Sequence, residues 1–268
     1  MSRVVYIFIA VVMMVVATTS SVEAQNELEG GGALSKRSVD KLWDDANTAY
    51  VNYDYNEALR MYQEIEGRDL HSAELYFNMG NVYYKRDEIG KALLYYYKAL
   101  RLDPSDVYIR HNIEFAQNKT TDNIEKLPRL FLAEWNEWIR TRMSSTQWVV
   151  VSLSLLALTL GFLLLYLLSD RMMNRRIGFF GLVVAAVLFI YTTNNSIYSR
   201  WEMVNHREAV VMNRALSVKS SPNGGATELF IIHEGTKVRV LNSIGGWSEI
   251  RIDDGNRGWV EDTTIARI

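Results

Sequence analysis

Apolar and polar residues alternate along this chain in three different rhythms, and each rhythm predicts a different architecture. The first is a repeat. Tyr55-Asn56-Glu57-Ala58-Leu59-Arg60-Met61-Tyr62 returns 34 residues later as Ile89-Gly90-Lys91-Ala92-Leu93-Leu94-Tyr95-Tyr96. A period of this length marks a helical hairpin that buries its apolar face by stacking on its neighbours. The second copy is nearly complete, with Tyr76, Met79, Gly80, Tyr83, Ala92, Tyr96, Ala99 and Pro104 in place; the first keeps Leu42, Ala46, Ala58 and Tyr62 but lacks the terminal proline. Gly80 and Ala92 are small where the two helices of one hairpin must approach, Tyr83 and Tyr96 are expected to fill the space between hairpins, and Pro104 stops the second helix. An incomplete third unit starting at Asp106 (Val107, Ile109, Ile113, Ala116) is expected to cap the stack.

The second rhythm is unbroken apolarity. Val4–Ala17, preceded by Arg3 and followed by small residues ending in Val22-Glu23-Ala24, has the form of a secretory signal peptide over 1–24, with an uncleaved anchor as the rival. Residues 25–38 read as a flexible linker. Trp148–Leu168 carries no charge and Ile177–Tyr198 is apolar through Ile190, so 148–168 and 177–198 are expected to span a bilayer as helices. The polar run Thr192-Thr193-Asn194-Asn195 either forms an intramembrane site or, the plainer reading, reaches headgroup depth or pairs with the neighbouring helix. Arg171, Arg175 and Arg176 place the 169–176 loop in the cytoplasm, which agrees with an exported N-terminus. Pro128–Met143 reads as an amphipathic helix within an interfacial segment, 125–147. Phe131, Trp135, Trp138 and Ile139 form its apolar face, which either lies on the outer membrane surface or packs back on the repeats.

The third rhythm starts after Arg207: period-two runs such as Lys237-Val238-Arg239-Val240 and Glu249-Ile250-Arg251-Ile252, separated by turns at Ser221–Gly225, Ile244–Gly246 and Asp253–Asn256. About five short strands in some sixty residues predict a small barrel over 207–268. The order Val218–Pro222, His233–Val238, Gly246-Trp247-Ser248-Glu249-Ile250, Gly258-Trp259-Val260 resembles the bacterial SH3-like (SH3b) domain. Trp247 and Trp259 either form a ligand platform for a peptide or cell-wall fragment or, the stronger reading for Trp259, plug the barrel core; Trp247 is open to either role and is the candidate ligand contact. The fold class is thus a multidomain membrane protein: a helical stack over 39–124, a two-helix hairpin and an all-β barrel. The stack, with its 34-residue hairpins, is identified as a member of the tetratricopeptide (TPR) repeats.

Composition narrows the function. A net charge of −2 without a dense basic run argues against nucleic-acid binding, and the absence of cysteine removes thiolate chemistry, disulfides and Cys-based metal sites. His71, His111, His206 and His233 are scattered with no zinc-ligand spacing, neither a nucleophile elbow nor a phosphate-binding loop occurs, and Asp253-Asp254 beside Gly255 reads as a turn. We therefore expect no catalytic residue, no metal and no cofactor. The candidate working surface is the concave face of the stack, where Trp43, Asn47 and Tyr50 stand one repeat before Phe77, Asn81 and Tyr84, with Lys85 and His111 nearby. Two asparagine amides one repeat apart can hold an extended peptide backbone while the aromatics supply apolar contact.

The order signal segment, repeats, interfacial helix, membrane hairpin and SH3b module resembles the BatE-type, TPR-containing branch of the bacterial Bat (Bacteroides aerotolerance) proteins. Arg101-Leu102-Asp103-Pro104-Ser105-Asp106, Asn112–Gln117 before Lys119, and the Lys219 to Gly258-Trp259 module carry the likeness. It implies a non-enzymatic factor in the inner membrane with its TPR and SH3b domains on the periplasmic side. Its expected partners are envelope proteins, among them von Willebrand A-domain Bat proteins and a MoxR-type ATPase. Two functions stay open: a scaffold that recruits proteins through the repeat groove with SH3b as an accessory contact, or a cell-wall sensor whose SH3b barrel reads peptidoglycan peptides.

Overall fold

The computed structural model describes residues 33–124, 130–204 and 207–268; the expected signal peptide 1–24, Pro128 and His206 lie outside the described residues. Five helices make the stack: α1 Ala33–Val51, α2 Tyr55–Glu66, α3 Ala73–Lys85, α4 Ile89–Leu102 and α5 Val107–Gln117. Because α1 begins at Ala33, the expected linker 25–38 is helical in its last part. Caps set most helix starts. Asp54 accepts the Glu57 N–H, Ser72 the Leu75 N–H, and Asp106 the N–H groups of Tyr108 and Ile109. The turn inside each hairpin repeats as well: Tyr53 and Asp87, one period apart, both take positive φ (64° and 61°).

Ala46, Ala58, Tyr62, Leu75, Met79, Val82, Ala92, Leu93, Tyr96, Ala99, Ile109 and Ile113 form one continuous helical core. Gly80 is small because the ring of Tyr96 lies where its side chain would be, 2.5 Å from an ideal Cβ. Tyr96 therefore packs inside its own hairpin, and not simply between hairpins as the repeat pattern suggested. Tyr83 does bridge hairpins, since its hydroxyl accepts from Gln63 (3.3 Å); one period on, Gln117 donates to Tyr97 (2.8 Å) with the two residue types exchanged.

Seven antiparallel strands, two more than expected, form the C-terminal domain: β1 Glu208–Val211, β2 Ala215–Lys219, β3 Glu228–His233, β4 Lys237–Ile244, β5 Trp247–Arg251, β6 Arg257–Glu261 and β7 Ile265–Arg267. Their order is β3-β2-β6-β5-β4-β1-β7. The additional pair β1 and β7 explains why this domain is not separate from the helices. Ala209 and Val211 enter the barrel core, whereas Val210 and Ile268 belong to the helical core. A strand buried on both faces reads as a continuous apolar run, here Ala209-Val210-Val211. Accordingly Arg37–Arg142 and Met203–Ile268 form one compact unit, and Met143–Glu202 belongs to another.

In that second unit, α7 (Ser145–Leu168) opens on a capping box between Ser144 and Gln147, and α8 runs from Met172 to Val204. Both contain stretches long and apolar enough to cross a membrane, Thr146–Leu168 and Met172–Trp201. The expected loop 169–176 shrinks to three residues, because Met172–Arg176 already belongs to α8. Gly178 faces the backbone of Tyr166 and Gly181 the ring of Phe162, so the two helices approach where side chains are absent. The polar run finds partners within the pair: Ser152 and Thr193 hydroxyls share a 2.7 Å hydrogen bond, and buried Asn195 donates to the Tyr191 carbonyl.

Candidate functional site

The repeat places two polar clusters of the same residue types along the stack. In the first, the Tyr62 hydroxyl donates to Asn47 Oδ1 (2.6 Å) and Asn78 Nδ2 approaches the same oxygen at 3.5 Å. One period on, Tyr96 and Asn112 Nδ2 both donate to Asn81 Oδ1, each at 2.8 Å. Burial pushes the Tyr62 hydroxyl up to about 12 and that of Tyr96 still further, so both remain donors at neutral pH. Trp43 sets its ring edgewise to Tyr62 and Phe77 packs obliquely on Tyr96, with centroids 5.7 and 5.9 Å apart. Each cluster thus joins helix one of a unit, helix two of that unit, and helix one of the next.

The clusters leave a complementary pair of groups at the surface. Among the described residues, Asn47 and Asn81 Nδ2 and Asn78 and Asn112 Oδ1 make no hydrogen bond, and all four side chains are half-buried, neither enclosed in the core nor fully exposed. Each rung accordingly offers one donor and one acceptor, which is what a peptide group requires. Of the other expected groove residues, Tyr50 packs on Tyr55 (5.7 Å), and Tyr84 carries the Lys119 ammonium 4.4 Å above its ring. Lys85 stands exposed in the last turn of α3 and enters neither cluster. His111 continues the Trp43–Phe77 row by one period and meets Phe115 edgewise at 4.6 Å, both exposed. Asn78 and Asn112 are additions to the expected site; their signal was their own 34-residue spacing, with each 31 residues after Asn47 or Asn81.

On the barrel, the expectation for Trp259 is overturned. Gly258 and Val260 take the inward positions of β6, so alternation turns Trp259 to the outer face, half-buried. Registry of Trp259 with Glu249, and of Trp247 with Glu261, puts Trp247 on the same face, one diagonal away. Lys219, paired with Trp259, brings its ammonium within 6.0 Å of the Trp247 ring.

A third cluster fastens barrel to stack. Asp122, just past α5, accepts the His233 backbone N–H, the His233 ring Nδ1 and the Thr236 hydroxyl, all at 2.6 Å. Burial opposes its ionisation, but these hydrogen bonds and the neighbouring imidazole outweigh that and hold the carboxyl below its usual range. Glu234 accepts the Gly90 N–H (3.0 Å) at the start of α4, whose own N-cap, Glu88, makes no side-chain cap. In the first repeat the equivalent position is the capping Asp54, so the barrel supplies what the second repeat lacks. Lys237 lies 4.9 Å over the Tyr97 ring, and Arg101 donates to the Ile268 carbonyl.

Residues 73–106, the hairpin with the full signature, match the tetratricopeptide repeat family, and residues 214–266 match the bacterial SH3 domain. No curated protein matches the chain. The protein is therefore a helical repeat stack, two candidate membrane helices and a C-terminal antiparallel β-domain, and its two matched modules are typically non-catalytic interaction domains. Among the described residues no group of three or more His, Asp or Glu is placed to hold a metal.

Proposed function

We propose that this chain is a membrane-anchored scaffold that holds an extended segment of a protein partner across the Asn47–Asn78 and Asn81–Asn112 rungs. The observation that carries this reading is the paired donor and acceptor left at each rung, flanked by Trp43 and Phe77 as apolar contacts. The anchor is the two-span hairpin. Segments before and after it fold into one unit, which supports an even number of crossings and a single face for both soluble modules. With the arginines of 171–176 in the cytoplasm, that face is the periplasmic side of the inner membrane. The Bat-type resemblance names the partners to try first: envelope proteins with von Willebrand A domains and a MoxR-type ATPase.

The test exploits the rung chemistry. Asn47→Asp with Asn81→Asp keeps the oxygen that Tyr62 and Tyr96 need but deletes the outward donor. Losing a hydrogen bond at each of two rungs, at about 1 kcal/mol apiece, weakens capture at least tenfold. Co-purification from membranes with the full chain at equal expression measures it; undiminished capture of every partner refutes the groove. A second reading rests on the outer barrel face, where Trp247 and Trp259 with Lys219 form an aromatic platform suited to a peptidoglycan peptide. Under that reading Trp247→Ala abolishes muropeptide binding by the full chain, and the double Asp variant does not.

A further inference from the structure

Helix α6 (Phe131–Arg140) presents an aromatic stripe that its own unit leaves uncovered. Phe131, Trp135 and Trp138 recur at i, i+4 and i+7 with 73, 55 and 55% of their surface exposed, and Leu130 before them is also exposed. The expectation left two positions for this face, on the membrane or back on the repeats, and allowed both; the repeats do not cover Phe131, Trp135 and Trp138, while Ile139 is half-buried. The helix is nonetheless fixed at its far end. The Arg110 guanidinium donates to the Thr141 carbonyl (2.6 Å) and also to the Pro104 carbonyl, which ties the end of α6 to the first turns of α5. Arg142 lies over the Trp138 ring at 4.5 Å. Val107 and Tyr108, within one turn of Arg110, are exposed as well. Among the described residues, the first stretch apolar enough to cross a membrane starts at Thr146, six residues beyond Arg140, a reach of at most roughly 20 Å.

We infer that α6, together with Val107 and Tyr108, is a membrane-docking surface that seats the repeat stack on the headgroup layer of the bilayer its own hairpin crosses. The occupant follows from the chain and from the chemistry. A helix that ends six residues before a membrane entry point is kept within that reach of the bilayer, and indole rings with one polar edge prefer headgroup depth. Glu134 and Glu137 offset Arg140 and Arg142 in number, so the aromatic rings and not net charge carry the docking. The Arg110 strut then fixes the stack's third unit to this surface, so the groove is held at the membrane and not on a free tether.

The inference rests on the membrane-anchored reading above, and one experiment separates the two. The chain has no cysteine, so single-cysteine variants of the full protein in vesicles of phosphatidylethanolamine and phosphatidylglycerol can carry one nitroxide each. Labels replacing Trp135 and Trp138 should collide several-fold more with oxygen than with a soluble nickel chelate, and labels at Asn136 and Glu137 should show the reverse. Nickel collisions at 135 and 138 equal to those at 136 would put the stripe in water and overturn the inference. Shielding from both reagents would assign the stripe to a protein neighbour and overturn it equally. Labels at Leu158 and Val184, inside the spans, report the anchor itself: oxygen-accessible there with failure at 135 and 138 sinks only the docking surface, whereas nickel access at both sinks the membrane reading.

Discussion

Replacing Asp122 by alanine should loosen the barrel from the helical stack by about 3 kcal/mol. The side chain accepts three hydrogen bonds at 2.6 Å from groups 111 and 114 residues away. Hydrogen bonds to an ionised acceptor contribute about 1.5–3 kcal/mol each, but these share one carboxylate and do not add. Alanine also leaves the His233 N–H without its acceptor, while it relieves the desolvation of a mostly buried charge. A net of about 3 kcal/mol corresponds to a rise of roughly a hundredfold in opening at the interface. Hydrogen exchange on the full chain should show it in β3, in the turn to β4 and at the start of α4, with the central α3–α4 contacts unaffected. A double-mutant cycle with Thr236→Val should return a coupling above about 0.5 kcal/mol. Exchange within twofold of wild type at these sites, or strict additivity, would refute the latch. Its pH dependence has a definite sign. The folded carboxyl titrates below its ordinary 3.8, so its stabilisation is complete above that value and is lost as pH falls through the lower folded one. The interface should therefore hold from neutrality to about pH 4 and open only below it.

Glu234→Ala removes the borrowed cap of α4 and should cost about 1 kcal/mol in urea unfolding; Gly90→Ala, whose new methyl would meet Glu234 Cγ at 2.5 Å, should cost a similar amount, and the two together no more than either alone. Additive losses would show that Glu234 does not act through Gly90. Gly80→Ala drives a methyl into the Tyr96 ring and should destabilise the stack by about 1–3 kcal/mol, read as a lower thermal midpoint. Tyr53→Gly relieves a left-handed backbone at an exposed position and should stabilise by up to about 1 kcal/mol; a lower midpoint would mean that the Tyr53–Tyr55 ring contact outweighs the strain. Asn81→Ala, which a purely solvent-facing groove residue would tolerate, should instead cost about 1–3 kcal/mol, because the Tyr96 hydroxyl loses its acceptor.

Whatever depends on neighbours in the chain was legible before any coordinates. The 34-residue period placed the hairpins because a helix reveals its buried face every three to four residues, and Gly80 and Ala92 are small for reasons internal to one hairpin. The two candidate membrane helices showed as length and apolarity, and the barrel strands as alternation. The candidate groove was half legible: Asn47 and Asn81 were visible as a repeat, but that their oxygens are spent on Tyr62, Tyr96 and the next helix emerged only from packing. Trp259 shows the same limit, for its motif suggested the core while the registry of β6, with Gly258 opposite buried Ile250 and Trp259 opposite Glu249, decided which face it takes. The union of barrel and stack was wholly a tertiary result. Asp122 with His233, Glu234 with Gly90 and Val210 in the helical core join segments more than a hundred residues apart, one before and one after the two apolar helices in the chain. No periodicity records such contacts, because the energy that selects them comes from two surfaces fitting after each has formed, not from the order of residues along either one.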